Sequence, residues 1–482
     1  MNIKQNLKFN MCLNAIKSLF TIIFPLITFP YATRVLGVDN IGKYNFSNSV
    51  ITYFSLLAEL GINTYAIREG ARLRERRDDL NQFLCEIFSI NIISTFISYV
   101  LLAICLFSVP KFSGYRNVIA IMSIAIIFKT IGIEYIYSIY EDYLFVTVRN
   151  IIFQIASLFM LFIFVKSPSN LIAYSIIYVI SGSGANVINL LYAKKYCKIK
   201  FIKNMNFRRH IKPIMILFGM SATIAIYVAS DVTILGFICN DTIVGQYSVS
   251  TKIYSIVKTL LSAIIVVAIP RLSALLGNND MNGFKNTSED IYKTLLTFMF
   301  PTVIGIIVLR KPIVYLIAGK EYMNATSSLL LLSVALFFCM GAWFWGQCIL
   351  VPLQKEMFVF KVTIISAAIN ILFNFFLIPV WKENAAAFTT ILAEGFSYFF
   401  CMFYGRKYIN NMKLLKCTLK ICIGCIFIYL ICIGVRKWIR NIILELVISI
   451  ISSIIVYILV ETMLKNEVVY DVLNKIREKI FN

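Results

Sequence analysis

The chain has 482 residues, of which 59% are hydrophobic and only 15% are charged, and its mean hydropathy is +0.81. Soluble globular domains are about 45–50% apolar and about 25% charged, so the composition excludes a water-soluble protein. The net charge of +22 would indicate a nucleic-acid partner in a soluble chain. In a membrane protein it indicates instead that lysine and arginine collect in cytoplasmic loops, and we expect no nucleic-acid partner.

Apolar stretches recur along the whole chain and predict an all-α polytopic membrane protein with about 14 transmembrane helices, at roughly 20 residues per span. No connecting segment is long enough to bury a core of its own. In chain order the predicted spans are 10–31, 44–67, 83–108, 117–137, 145–165, 171–193, 213–238, 247–269, 292–309, 329–352, 362–380, 385–405, 417–435 and 442–461.

Metal and cofactor chemistry are not indicated. His210 is the only histidine, and it falls in a basic segment that we interpret as a loop. Cys422 and Cys425 form a C-x-x-C pair, but the pair lies inside a predicted span without a second cysteine pair. We therefore expect no cofactor, no metal site and no histidine-based catalysis.

The distribution of positive charge predicts the orientation. With the N-terminus inside, the cytoplasmic segments carry 28 lysine and arginine residues and the outer segments carry 12. Because cytoplasmic loops are enriched in these residues, both termini are predicted to lie in the cytoplasm. The most basic segment, 194–212, is interpreted as a lipid-surface and topology element.

An internal repeat is the most informative feature of the sequence. Gly42-x-Tyr44 matches Gly245-x-Tyr247 at an offset of 203 residues, and Arg68 matches Arg271 at the same offset. Six predicted spans separate the two copies, so both copies have one orientation, as in transporters built from parallel repeats. The predicted organisation is an N-lobe (1–193), a basic cytoplasmic linker (194–212), a C-lobe (213–405), two further spans (406–461) and a cytoplasmic tail (462–482).

Polar residues follow single faces of the first, second, seventh and eighth predicted spans. Such residues are costly in a membrane and usually face a cavity or a partner helix, so we predict a water-filled cavity with a cationic lining between the lobes. A lysine near the end of a span could instead extend to the membrane surface. The predicted cavity residues are Lys17, Lys129, Lys252, Lys258, Asn14, Asn48, Thr52 and Ser255.

Other charged residues have two interpretations each. Glu59, Asp231 and Glu394 could bind a coupling proton or cation, or could neutralise a lysine. Arg34, Arg68 and Arg271 lie at span ends, where they could be interface anchors or could meet a phosphate at the mouth of the cavity, because guanidinium groups suit phosphate.

Two segments carry a resemblance to a known family. The stretches FPLITFPYATRVLGVDNIGKYNFSNSVITYFSLLAELGINTYAIREGARLRE and IGIEYIYSIYEDYLFVTVRNIIF resemble bacterial polysaccharide flippases of the O-antigen and capsule type. These belong to the superfamily that also holds MATE drug exporters and the lipid II flippase. The resemblance implies two six-helix lobes around a central cavity that opens alternately inward and outward in the bacterial cytoplasmic membrane. The last two helices are similar in placement to the pair that flanks a lipid-tail groove in the lipid II flippase.

The resemblance also implies the substrate, an undecaprenyl-pyrophosphate-linked oligosaccharide repeat unit, and a polysaccharide polymerase or biosynthesis complex as a partner beside the membrane lipids. In relatives, cations on the first, second and eighth helices line the cavity. Lys17, Lys252 and Lys258 lie on the first and eighth helices, whereas Glu59 stands on the second. A gradient of protons or sodium, or the membrane potential, could supply the coupling.

Two alternatives remain open. A cation-coupled multidrug exporter would share the scaffold, but it would need an acidic cavity for cationic drugs. A membrane polysaccharide polymerase or ligase would need a sizeable outer loop with catalytic groups, and the predicted outer loops are short.

Overall fold

A computed structural model describes the backbone of residues 7–203, 205–409, 414–471, 474 and 478, and the side chains of these residues from 23 onward and of Phe20. Every regular element in these ranges is helical, which confirms the predicted all-α class. The α-helices are Leu7–Glu59, Ile62–Leu73, Arg77–Ser108, Arg116–Gly132, Tyr135–Ile139, Tyr143–Phe164, Leu171–Val179, Asn186–Ala193, Phe207–Ile238, Asp241–Gly277, Met281–Ala318, Ala325–Trp343, Glu356–Gly405, Leu415–Trp438 and Ile442–Met463.

Short 3₁₀ helices lie at Pro110–Tyr115, Pro168–Asn170 and Lys320–Tyr322, and π-helical turns lie at Ile180–Gly184 and Phe344–Leu350. Two of the long helices are interrupted. Gly37 in the helix Leu7–Glu59 has φ 76°, a conformation that glycine adopts without steric cost, and Lys382 interrupts Glu356–Gly405 with φ 52°.

Twelve helices of the described chain are long and apolar enough to cross a membrane, so the chain is a multi-pass membrane protein. Two of these twelve contain the interruptions at Gly37 and Lys382, where the sequence predicts a boundary between two separate spans. The number of crossings, 14, stays a prediction.

The chain forms two compact units, Met1–Gly245 and Gln246–Asn482. The division falls inside the helix Asp241–Gly277, and the predicted lobes with their linker 194–212 stay a prediction. The helix Phe207–Ile238 packs within the first unit. The Phe46 and Phe237 rings lie 5.3 Å apart, and a Cβ on Gly236 would come within 2.0 Å of Phe46.

His210 is a correction to the sequence analysis. It lies on the helix Phe207–Ile238 and not in a loop, and it is completely buried. Its ring contacts the Tyr65 hydroxyl at 3.0 Å and the Glu86 carboxylate at 2.6 Å. A buried carboxylate needs such partners, so this cluster ties three helices of the first unit together.

The repeated glycines meet at one helix crossing inside the first unit. A Cβ on Gly42 would lie 1.9 Å from the Asp241 carbonyl oxygen, and a Cβ on Gly245 would lie 2.2 Å from the Val38 carbonyl oxygen. The Thr242 hydroxyl donates to Asp39 at 2.6 Å. These contacts join residues 38, 39 and 42 to residues 241, 242 and 245. Each residue of the second set lies 203 positions after its counterpart in the first set, so the two copies of the motif pack against each other symmetrically.

In the second unit the last two long helices pack on the helix Met281–Ala318. Their shared core contains Val308, Ile428 and Tyr457, and the Tyr457 hydroxyl donates to the Thr297 carbonyl at 2.8 Å. This packing forms the walls of the apolar groove described below.

Candidate functional site

A polar cavity of about 350 Å³ lies in the first unit. One of its walls is a single face of the helix arm 38–59, because Asn48, Thr52, Ser55 and Glu59 follow one another at steps of four, three and four residues. Lys129 contributes to the facing wall. The structure therefore places three of the predicted site residues, Asn48, Thr52 and Lys129, around one space, together with the predicted coupling residue Glu59.

Lys129 and Glu59 form an ion pair in this cavity. The Lys129 ammonium lies 2.9 Å from the Glu59 carboxylate, and the side chains are 45% and 42% exposed. A second cavity of about 230 Å³ also borders both residues and carries Asn63 and Asn186. The two charges neutralise each other where the cavities meet, and the surrounding amide and hydroxyl groups can exchange hydrogen bonds with a polar ligand.

The sequence analysis missed a buried arginine beside the second cavity. Arg149 is 3% exposed on its side chain and pairs with Glu134, which lines that cavity. Arg149 also donates to Asn189, whose amide in turn donates to the Gly132 carbonyl at 2.6 Å. Its position within the stretch VTVRNIIF was the available signal, because a charge inside an apolar run usually has a specific partner.

In the second unit, Lys258 lies against two aromatic rings. Its ammonium is 5.8 Å from the Tyr254 ring centroid and 5.6 Å from the Trp343 ring centroid, which are favourable cation–π distances. The predicted coupling residue Glu394, on the helix Glu356–Gly405, is 7% exposed. The predicted cavity lysine is thus held by aromatic neighbours.

Other predicted residues lie apart. Arg34 donates to the Pro30 carbonyl at 3.1 Å and Arg68 pairs with Glu69 at 3.0 Å. The helix arm 38–59 separates Arg34 from Arg68 by about 33 Å at 1.5 Å per residue, so the structure does not bring these two arginines to one mouth. Arg271 is exposed on a helix of the second unit.

The other predicted site residues are Ser255, Lys252, Asp231, Asn14 and Lys17. The Ser255 hydroxyl donates to the Lys252 carbonyl at 2.9 Å, Lys252 is half-buried, and Asp231 is half-buried on the helix Phe207–Ile238. The side chains of Asn14 and Lys17 lie outside the described residues. A role in substrate or ion binding stays a prediction for all of the predicted site residues.

An apolar groove of about 630 Å³ runs along the second unit. Its walls come from the helix Met281–Ala318 and the last two long helices, with Gly305, Ile306, Ile428, Ile454 and Tyr457 among the lining residues. Nearly all of the lining atoms are apolar, so the groove suits a hydrocarbon chain and not a sugar or an ion.

Comparisons with known proteins agree with this architecture. The lipid II flippase MurJ in an inward closed conformation matches with a TM-score of 0.76 at 17% identity, over 95% of this chain and all of that chain. An inward-facing MATE multidrug resistance transporter matches with a TM-score of 0.59 at 11% identity, over 84% of this chain and 99% of that chain. The chain therefore has the fold that MurJ and this MATE transporter share.

The sequence identifies the family. The chain belongs to the polysaccharide biosynthesis protein family, whose model matches residues 8–276. A protein of Escherichia coli (strain K12) provisionally named an O-antigen transporter is 25% identical over 420 residues, covering 86% of this chain and 99% of that protein. The capsular polysaccharide biosynthesis protein CapF of Staphylococcus aureus is 24% identical over 365 residues, 74% of this chain and 88% of that protein. The Escherichia coli relative and both structural neighbours are transporters or flippases by name, which is consistent with the prediction of a transporter.

Proposed function

We propose that the protein moves undecaprenyl-pyrophosphate-linked oligosaccharide repeat units from the inner to the outer leaflet of the bacterial cytoplasmic membrane by alternating access. The observation that carries this proposal is the apolar groove of the second unit, in a chain that also has cavities with polar side chains in their walls. An amphiphilic substrate needs both environments, because its tail prefers apolar surface and its anionic head cannot enter the hydrocarbon core at reasonable cost.

The polar cavities support a path for a glycan. Asn48, Thr52 and Ser55 present one amide and two hydroxyl groups on one helix face, and such groups accept or donate hydrogen bonds to sugar hydroxyls. Because Lys129 is neutralised by Glu59, this part of the molecule suits a neutral sugar better than a phosphate. We assign the pyrophosphate contact to Lys17, Lys252 and Lys258, the predicted cavity lysines of the first and eighth predicted spans.

Lys258 is the best-defined of these donors. Its two aromatic neighbours at 5.6 and 5.8 Å restrict the side chain while the ammonium keeps its charge. A pre-oriented ammonium loses little conformational entropy when it binds an anion. Glu394 or Glu59 would bind the coupling proton or cation, a role compatible with the MATE-like fold.

The likeness to MurJ favours a lipid-linked substrate over a drug. The match to MurJ covers 95% of this chain. The match to the MATE transporter covers only 84% of this chain, although it includes 99% of the MATE chain. The part beyond a MATE scaffold is about 16% of the chain, roughly the size of the predicted segment 406–482 that supplies two walls of the groove. By analogy with the names of its relatives, the glycan belongs to an O-antigen or a capsule.

The test is transfer of a fluorescent lipid-linked oligosaccharide in proteoliposomes. We expect transfer by the wild type and a reduction of about tenfold or more by Lys258→Met, because a lost charge-assisted contact costs about 1.5–3 kcal/mol. Lys258→Arg should retain most of the transfer. Lys361→Met removes the same charge from an exposed position at the start of another helix and serves as the matched control.

Two results would overturn the proposal. One is transfer of the lipid-linked oligosaccharide at the rate of protein-free liposomes by a correctly folded wild type. The other is efflux of a cationic drug by the same preparation together with the absence of glycan transfer, which would assign the protein to the multidrug exporters.

A further inference from the structure

A third cavity, of about 380 Å³, lies at one end of the first unit. We call it the arginine pocket. It is lined by Arg72, Arg76 and Arg209 together with Tyr65, Glu69, Leu73, Phe83 and Pro213. These residues come from three helices and one turn, and none of them lines the polar cavities around Lys129. The pocket is therefore a separate site on the same unit.

The arginine pocket has a surplus of positive charge. Arg68 and Arg72 share one carboxylate, Glu69, at 3.0 and 3.3 Å, and Arg76 pairs with Asp79 at 3.4 Å. Among the described residues, no carboxylate lies within ion-pair distance of the Arg209 guanidinium. Three guanidinium groups and one carboxylate, Glu69, thus line the pocket, which leaves two positive charges for a ligand. Arg72 and Arg76 are 71% and 70% exposed, so their donors are accessible from outside.

The floor of the pocket is apolar and fixed. Tyr65 and Phe83 are each 4% exposed, and their rings lie 5.8 Å apart. The Tyr65 hydroxyl is held by buried His210 at 3.0 Å. A ligand in this pocket would meet guanidinium groups at the rim and aromatic and aliphatic carbon at the base, so it needs an anionic group and an apolar part.

The pocket lies where three candidate membrane spans begin or end, which is where a membrane surface is expected. The candidate span Ile23–Leu73 ends beside the pocket, and the candidate spans Arg77–Ser108 and Phe207–Ile238 begin beside it. Each of the three lining arginines is within two residues of one of these span ends. Lipid phosphates lie at this depth, just outside the hydrocarbon core, where basic pockets between transmembrane helices can bind lipid headgroups.

We propose that the arginine pocket binds the phosphate of an anionic phospholipid from the surrounding leaflet. Arg209 and Arg72 contact the phosphate oxygens, for which the planar guanidinium offers paired donors, and Leu73, Phe83 and Pro213 contact the start of the acyl chains. The pocket shares no lining residue with the polar cavities or the apolar groove, and a lipid bound there would anchor the ends of three helices in the leaflet.

The experiment titrates the full-length protein in detergent with short-chain phosphatidylglycerol and follows binding by native mass spectrometry. Phosphatidylcholine and inorganic phosphate are titrated in parallel. We expect phosphatidylglycerol to bind the wild type and Arg209→Gln to bind it about tenfold more weakly. Arg208→Gln removes the same charge from the adjacent exposed position, which does not line the pocket, and should change the affinity less than twofold.

Three outcomes would overturn the proposal. Equal loss of affinity in Arg209→Gln and Arg208→Gln would mean that only general charge attracts the lipid. Equal binding of phosphatidylcholine would remove the role of net negative charge. Competition by inorganic phosphate at the concentrations at which phosphatidylglycerol binds would show a site for the free anion. Gel filtration of each variant confirms that a lost affinity does not reflect misfolding.

Discussion

The crossing of the two repeated glycines allows the sharpest prediction about packing. In Gly42→Ala, the new methyl carbon would lie 1.9 Å from the Asp241 carbonyl oxygen, whereas real Cβ contacts are essentially never shorter than 3.0 Å. The helices must therefore separate locally by at least about 1.1 Å. The contact atom is backbone and cannot rotate away, so the change acts as overpacking, which costs about 1–3 kcal/mol.

The change in helix propensity acts in the opposite direction, because alanine in place of glycine within a helix stabilises the folded state by about 0.5–1 kcal/mol. The expected net loss for Gly42→Ala is about 1–2 kcal/mol. Gly245→Ala should behave alike, since its Cβ would lie 2.2 Å from the Val38 carbonyl oxygen. The double variant should lose less than the sum, because the separation forced by one methyl group makes space for the other.

The assay is the free energy of unfolding in mixed detergent micelles, measured by circular dichroism during titration with sodium dodecyl sulfate. The matched control is Gly219→Ala, on a helix of the same unit, where no atom lies within 4 Å of the added Cβ. It should be neutral or slightly stabilised. If Gly42→Ala were as stable as Gly219→Ala, or if the two crossing variants were fully additive, the symmetric close approach would be refuted.

Three further predictions concern a buried cluster, the tail and the groove. His210→Ala leaves the buried Glu86 carboxylate without its closest partner and should destabilise the fold by about 3 kcal/mol, measured by the same titration. Lys293 holds the pKa of Glu467 below its ordinary value through a hydrogen bond and through its charge. The stabilisation of the folded state by this ion pair is therefore fully present above the unfolded pKa of about 4.3. It is lost as the pH falls through the lower pKa of the folded state. Because Glu467 is 74% exposed, we expect this ion pair to contribute less than about 1 kcal/mol, detected as lower amide-exchange protection factors after residue 463 in acid. Gly305→Leu, which fills open space in the groove, should reduce transfer of a long-chain lipid-linked glycan more than that of a short-chain analogue.

Each of these three has its own control. Arg208→Ala changes an exposed neighbour of the buried histidine and should keep its stability; an equal loss would contradict the role given to the cluster. Glu467→Gln should remove the acid dependence of the protection factors, and a dependence that persists would point to another group. Gly434→Leu adds the same side chain to open space outside the groove. Equal effects of the two leucine variants on long-chain transfer would contradict the assignment of the groove to the lipid tail.

The sequence was sufficient for features that depend on composition and local pattern. Apolar runs of about 20 residues can only be membrane helices, because an unpaired backbone is too costly in lipid, and the motif around Gly42 and Gly245 marked the repeat that the structure brings together. The polar stripe predicted on the second span, which includes Thr52 and Glu59, also placed these two side chains on one helix face, since helical periodicity alone decides which side chains share a face.

Tertiary structure decided what each charge meets, because the partners lie far apart in the chain. Nothing local distinguishes Lys129, paired with Glu59 across 70 residues, from Lys258, held by aromatic rings. His210 has the neighbours of a loop residue but is buried against Tyr65 and Glu86 by the docking of its helix. The reason is physical: periodicity fixes the direction of a side chain on its own helix, whereas burial and pairing depend on which helix packs against it.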